Sequence, residues 1–335
     1  MSIALDAMGG DHAPRETVLG ALLAAPHVKS KILLVGQPEL LNSFLAHITT
    51  PIPANIEIVA ASESVGMEEK PTEAIRKKKD SSLAVAVRMV KEGHAKALVS
   101  AGNTGAATAS CLLGWRQIEG VHRPAIATNL PNQHGGFLLL DAGASPDVDP
   151  QHILEFAVMG RAYVQRVMGR ANPRVHLLNI GEEPGKGNAF AKECHNLLAQ
   201  HAWFAGNIEG NDMYLQPTDV VVCEAFVGNI VLKTSEGIAE MIARSIKDRV
   251  PTSPALKPLF WPVRYATATL RKQMDYAEIG GSPLLGLNGV CVISHGRSNS
   301  KAIKNAILMA QQAIENNLVD TIRESMKREV GIPDA

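Results

Sequence analysis

Short apolar runs alternate along this chain with amphipathic stretches, and turns rich in glycine, asparagine and serine separate them. Residues 3–5, 31–35, 56–60, 95–99, 175–180, 219–223 and 290–293 have the composition of buried strands. Residues 15–24, 38–46, 150–168 and 301–316 read as helices, the last with Ile303, Ile307, Met309 and Ile314 inward. A further helix follows residue 229, with Ile238, Met241, Ile242 and Ile246 on one face. Ser81 or Ser82 is expected to cap the helix before the central strand. Strands alternating with helices at this spacing predict an α/β protein with a doubly wound, Rossmann-like parallel sheet. Residues 125–129 and 136–140, joined through Pro131-Asn132-Gln133-His134-Gly135, are spaced as a hairpin and predict an antiparallel addition. Residues 280–287 read as a turn.

The stretch 96–108 organises the rest: an apolar run stops at Ser100-Ala101-Gly102-Asn103-Thr104-Gly105 and restarts as a helix. Such a turn leaves backbone N–H groups facing one spot at the positive end of a helix, which suits an anion. An ordinary βα turn has the same appearance. The spacing is neither G-x-G-x-x-G nor a Walker loop, so it indicates neither a dinucleotide nor ATP.

The same kind of turn recurs at 6–11, 141–147, 181–188, 224–229 and 295–299. In a parallel sheet these turns fall at the carboxyl ends of strands, where ligands bind. They collect Asn, Ser, Lys, His, Arg and backbone N–H groups, a set that stabilises a phosphate and an oxyanion. Ser100, Asn103, Thr104 and Gly105 are the candidate phosphate holders, with His295 and Asn299 as further members of the same cleft, and His295 equally as a capping residue. Lys186, between two glycines, and Asn229 are the catalytic candidates, for neutralising phosphate or a tetrahedral oxyanion. Asp141 and Asp147 are turn formers or ligands. No nucleophile elbow and no metal spacing stands out, so neither metal nor cofactor is expected.

Composition narrows the classes. The 335 residues are 46% apolar and 20% charged, and 33 Lys and Arg balance 33 Asp and Glu. Mean hydropathy is +0.02. These values suit a soluble globular chain and give no electrostatic case for nucleic acid. Cys111, Cys194, Cys223 and Cys291 lack redox spacing and are expected to be buried thiols in a reducing cytosol. No signal peptide and no membrane span is expected.

Two segments carry local charge or apolar patterning. Arg76, Lys77, Lys78 and Lys79 form a basic run that is either a solvated helix face or a docking patch for an acidic partner. Residues 251–276 mix four prolines with Leu256, Leu259, Phe260, Trp261 and Val263, and with Lys257, Arg264, Arg271 and Lys272. That mixture suits an interfacial element at a membrane surface, or equally a subunit-interface or core helix.

Read together, Asp6-Ala7-Met8-Gly9-Gly10-Asp11, Lys70-Pro71-Thr72-Glu73-Ala74-Ile75-Arg76, Ser100-Ala101-Gly102-Asn103-Thr104-Gly105-Ala106, Asn179-Ile180-Gly181-Glu182-Glu183, Lys186-Gly187-Asn188, Gly281-Ser282-Pro283-Leu284-Leu285-Gly286 and His295-Gly296-Arg297-Ser298-Asn299 resemble the motifs of the PlsX family of bacterial phosphate acyltransferases (acyl-ACP:phosphate transacylases). They occur in the family's order from about residue 2 to residue 315. The resemblance implies an isocitrate/isopropylmalate dehydrogenase-like α/β fold in one unit spanning 1–335, with 251–276 as an interfacial or dimer-tip insertion, and a homodimer. It implies transfer of a long-chain fatty acyl group from acyl carrier protein to inorganic phosphate, giving acyl phosphate for phospholipid synthesis. It also implies a cytoplasmic, peripherally membrane-associated enzyme that docks the acidic carrier and hands product to a membrane glycerol-3-phosphate acyltransferase. Phosphate is already a nucleophile and a thiolate a fair leaving group, so positioning and oxyanion stabilisation suffice. Three rivals share parts of this pattern: a phosphate acetyl- or butyryltransferase using acyl-CoA, a nicotinamide-dependent decarboxylating dehydrogenase, and a non-catalytic phosphometabolite sensor or membrane-docking scaffold.

Overall fold

The computed structural model describes residues 1–249 and 280–331. The expected element at 251–276, with Leu256, Leu259, Phe260, Trp261 and Val263, lies outside the described residues. In chain order the elements are β1 (Ser2–Asp6), α1 (Arg15–Ala24), β2 (Lys31–Gly36), α2 (Pro38–Ala46), β3 (Ile56–Ala60), α3 (Pro71–Lys77), α4 (Ser82–Lys91), β4 (Ala97–Ser100) and α5 (Thr104–Trp115). Next come β5 (Ala125–Ile126), β6 (Thr128–Leu130), β7 (Phe137–Leu140), α6 (Pro150–Arg166), β8 (Val175–Leu178), α7 (Ala189–Leu198), β9 (Phe204–Ile208), α8 (Asp212–Leu215), β10 (Val220–Val222) and α9 (Ala225–Arg249). The chain ends with β11 (Ser282–Leu285), β12 (Val290–Ile293), α10 (Ser300–Glu315) and α11 (Leu318–Val330).

Among the described residues the strands form two sheets, in the orders β3-β2-β1-β4-β12-β11-β5 and β6-β7-β10-β8-β9. The inner strands are parallel because helices cover both faces, and that double cover is why β2, β4, β10 and β12 are near-continuous apolar runs. Tyr163, Phe137 and Phe156 are the largest side chains wholly withdrawn from solvent, and they fill the core around β7 and α6. The α/β expectation and the strand positions hold.

The hairpin expectation holds in part. β6 and β7 pair antiparallel, but β5 breaks away and joins the other sheet beside β11. Residues 282–285, read above as turn, form a strand: Pro283, Leu284 and Leu285 are buried between β12 and β5. Proline is tolerated there, and its carbonyl accepts from Ala127 N at 2.9 Å. β9, α8 and α11 had no counterpart in the apolar pattern. β9 shows why: only its last two residues are buried, as expected for an edge strand.

Candidate active site

The two sheets meet where one strand crosses between them. β5 is antiparallel to β11, which is antiparallel to β12, so β5 runs with the parallel strands, and past Ile126 the chain reaches their carboxyl edge at Thr128, beside Ser282. β6 starts at Thr128 opposite Leu139, near the end of β7, and hence at the carboxyl edge of the second sheet. Only Ala127 separates the two strands. Thr128 Oγ1 and Ser282 Oγ, 3.0 Å apart, tie β6 to β11, and Ala142 N donates to Ile126 O at 2.9 Å. The loops after β1, β4 and β12 and those after β7, β8 and β10 thus lie on the edges that this joint brings together. Open α/β sheets bind ligands at such edges.

On the first sheet the turns are built around Asp6, a buried carboxylate that sequence reasoning placed only within a turn. Ser82 Oγ donates to its Oδ1 at 2.6 Å and Ser100 Oγ to its Oδ2 at 2.8 Å. Burial pushes the Asp6 carboxyl above its ordinary value, against the pull of those hydroxyls and of backbone N–H groups. Ser100 is fully buried, and it also accepts from Gly102 N at 3.1 Å. Its hydroxyl therefore shapes the turn, with both of its bonds made inside the protein. Ser81, not Ser82, caps α4, accepting from Ala84 N.

Asn103 caps α5: its Oδ1 accepts from Ala106 N at 3.0 Å, and its Nδ2 donates to the carbonyls of Met67 and Glu69 at 2.8 and 3.0 Å. This cap leaves over the amides of Thr104 and Gly105, both exposed residues at the positive end of the helix. The end of α10 is different. Asn299 Oδ1 takes Ala302 N at 3.0 Å, and the Glu16 carboxylate already takes Ser300 N at 2.6 Å. Its anion capacity is largely met from within. His295 is exposed, and its Nδ1 accepts from Arg297 N at 3.1 Å, a cap-like turn bond.

On the second sheet Asp141 plays the role of Asp6. Its Oδ1 accepts from Ile126 N, Gly143 N and Ala144 N at 2.9–3.0 Å, and its Oδ2 from Ser145 N at 2.8 Å. Burial again raises the carboxyl, with the N–H donors opposing. Asp141 is thus the turn former of the two alternatives. Helix α9 presses on this loop so closely that a Cβ at Gly228 would stand 1.9 Å from Asp141 O. Asn229, the next residue, is exposed, and its Oδ1 lies 3.8 Å from a Cβ position on Gly143. The first amides of α9 are occupied, since Glu224 accepts from Phe226 N and Val227 N at 2.6 and 3.0 Å.

Lys186 is exposed on the loop between β8 and α7, with Glu183 Oε2 at 3.7 Å from its ammonium. Gly187 makes the turn possible: its φ is +88°, and a Cβ would meet Asn179 Oδ1 at 2.6 Å. Asn188 caps α7 through Ala191 N at 2.8 Å. Beside it an open groove of ≈ 490 Å³ runs along Asp147, Asp149, Asn188, Phe190 and Glu224. Within the basic run, Lys77 pairs with Glu73 at 2.9 Å and Lys78 with Glu69 at 2.5 Å, while Arg76 and Lys79 are exposed. The four cysteines are free and buried, as expected. Among the described residues no three His, Cys, Asp or Glu converge as a metal-binding set.

With this geometry in view, the chain matches, over residues 1–321, the model of a family described as "Fatty acid synthesis protein". It is 49% identical to the phosphate acyltransferase of Desulfitobacterium hafniense (strain DSM 10664 / DCB-2) over 330 residues, 98% of each chain. The chain belongs to the phosphate acyltransferase family. The family member from Geobacter sulfurreducens is 43% identical over 98% of this chain and 95% of its own. The family makes the chain an acyltransferase. Solved structures resemble it in fold. The EutD phosphotransacetylase from Staphylococcus aureus superposes with a TM-score of 0.61 at 16% identity, covering 93% of this chain and 94% of that one. A 4-hydroxythreonine-4-phosphate dehydrogenase from Klebsiella pneumoniae gives 0.51 at 14%, covering 93% and 97%. The isocitrate/isopropylmalate dehydrogenase-like expectation for the fold therefore holds. Among the described residues no helix is long and apolar enough to cross a membrane.

Proposed function

We propose that this phosphate acyltransferase moves a long-chain fatty acyl group from acyl carrier protein to inorganic phosphate, forming acyl phosphate for phospholipid synthesis. The observation that carries this reading is the joint at residues 126–128, which brings together the carboxyl edges of both sheets. One edge offers a helix start with amides left over at Thr104 and Gly105, and the other offers Lys186 and Asn229. A phosphate oxygen attacks the thioester carbonyl carbon and a C–O bond forms. The oxyanion then collapses, the C–S bond breaks, and the carrier thiolate leaves and takes up a proton. The α5 amides that the Asn103 cap leaves over hold phosphate, while Lys186 and Asn229 stabilise the developing oxyanion. Ser100 supports this turn from beneath, and His295 and Asn299 border it.

The donor decides between this reading and its nearest rival, an acetyl- or butyryltransferase that uses acyl-CoA. The experiment is to incubate purified protein with phosphate and either long-chain acyl-ACP or acyl-CoA, then trap acyl phosphate as the hydroxamate. Product from acyl-ACP at the higher kcat/KM supports the proposal. Equal or better use of short-chain acyl-CoA moves the chain to the rival class, and tight phosphate binding without product from either donor supports a sensor or scaffold.

The proposal extends to assembly and place: a cytoplasmic homodimer that visits the membrane surface and supplies a membrane glycerol-3-phosphate acyltransferase. Arg76 and Lys79, with Lys77, would face the acidic carrier, and Leu256, Leu259, Phe260, Trp261 and Val263 the lipid. Each basic residue near an anionic surface contributes about 1 kcal/mol, so binding should be reversible. Co-sedimentation with anionic liposomes, comparing wild type with the Phe260→Glu/Trp261→Glu variant and checking mass in parallel, tests this. A variant that loses only its dimer would assign the segment to the subunit interface.

A further inference from the structure

We infer that Lys78 is a positioning residue for the phosphate turn, acting through a strap formed by residues 62–70, rather than a member of the carrier-docking face. The inference rests on the reading of residues 100–105 as the phosphate site.

The strap is pinned at one end where Ser62 N and Oγ both donate to Asp80 Oδ2, at 3.0 and 2.7 Å. Its other end runs into α3 at Pro71. Lys78 holds the middle: its ammonium donates to Ser64 O at 2.7 Å and to Glu69 Oε1 at 2.5 Å. Glu69 Oε1 in turn accepts from Gly66 N at 2.7 Å, closing the strap on itself. The Lys78 hydrogen bond, followed by the Gly66 N–H, holds the Glu69 carboxyl below its usual range. The Lys78 side chain is 30% exposed, whereas Lys77 beside it is 63% exposed. The basic run therefore divides, with one ammonium turned inward.

The strap touches two of the turns at the first sheet's edge, those after β4 and β12. Its Met67 and Glu69 carbonyls receive Asn103 Nδ2, the side chain that also caps α5. Pro71 Cγ lies 2.8 Å from a Cβ position on Gly105, and Met67 Cε lies 2.5 Å from one on Gly296. The wall beside the Thr104 and Gly105 amides is therefore Pro71, where the strap enters α3, and the strap itself holds the Asn103 cap. Without Lys78 the Gly66–Glu69 turn loses its counter-charge and Ser64 O its donor. The strap must then be ordered when phosphate arrives, and that ordering weakens phosphate binding.

The predicted signature is a split between substrates. Lys78→Ala should raise the KM for phosphate about three- to tenfold while the acyl-donor KM and its salt dependence stay within about twofold, since partly exposed charged pairs contribute modestly. Lys78→Arg should restore most of the loss, and Glu69→Gln should reproduce it. Arg76→Glu should shift the donor KM instead. Hydrogen exchange of the 64–70 amides gives a second reading that needs no turnover. Inorganic phosphate should protect them in wild type, and Lys78→Ala should exchange faster without phosphate. A donor KM that rises with Lys78→Ala while the phosphate KM stays put overturns the inference, as does exchange that ignores both phosphate and Lys78. Absence of acyl phosphate from every donor would count against the proposed reaction, and the exchange experiment would still decide the strap.

Discussion

Substituting Gly228 by alanine tests whether the contact between α9 and the Asp141 loop sets the reacting geometry. The new Cβ would stand 1.9 Å from Asp141 O, and real Cβ contacts are essentially never under 3.0 Å, so helix and loop must part by about 1.1 Å or more. The clashing atom is a backbone carbonyl. Its loop is fixed by four N–H donors on one buried carboxylate, so no side chain can swing aside to make room. Overpacking of this kind costs about 1–3 kcal/mol, and urea unfolding followed by circular dichroism should show a loss of that size. Asn229 moves with the helix. Displacing a catalytic group by about 1 Å can cost a hundredfold in rate, so kcat should fall by about that factor in the hydroxamate assay with the protein still folded. A variant with wild-type stability and turnover would refute both the close contact and the role of Asn229.

Three other substitutions probe the two edges. Lys186→Ala should lower kcat about a hundred- to a thousandfold with the fold intact, as loss of an oxyanion donor does; near-normal turnover removes it from the mechanism. Asn103→Ala removes a helix cap and two strap bonds and should cost about 1–2 kcal/mol in urea unfolding, with a raised phosphate KM; a loss of stability alone would leave Asn103 structural only. Asp6 has its folded pKa raised by burial, so its contribution to stability is complete below the unfolded value of 3.8 and is lost as pH rises through the higher folded value. Wild type should therefore gain on Asp6→Asn as pH falls from 7 toward 4, and a stability difference that is flat with pH contradicts the shift.

The sequence by itself determined the alternation of strands and helices, because a strand covered on both faces must be apolar throughout, and Ile32–Val35 or Val220–Val222 can be little else. It also determined the turns. Gly187 and the cap bonds of Asn103, Asn188 and Asn299 act within a few residues of chain, yet the sequence offered Asn103 and Asn299 as phosphate ligands, and only the structure showed both side chains engaged as caps. Only tertiary structure decided that the described strands divide between two sheets. The departure of β5 depends on Leu284 and Leu285, more than 150 residues away, and no local pattern carries that pairing. The same holds for Ser100 and Ser82, whose hydroxyls are exposed donors on paper and become the internal supports of Asp6 once β1, β4 and α4 close together. Lys78 and Lys79 are indistinguishable as sequence neighbours. The return of the strap to Glu69 and Ser64 turns one ammonium inward and leaves the other in water, because the position of a partner in space, and not the residue type, decides what a charge does.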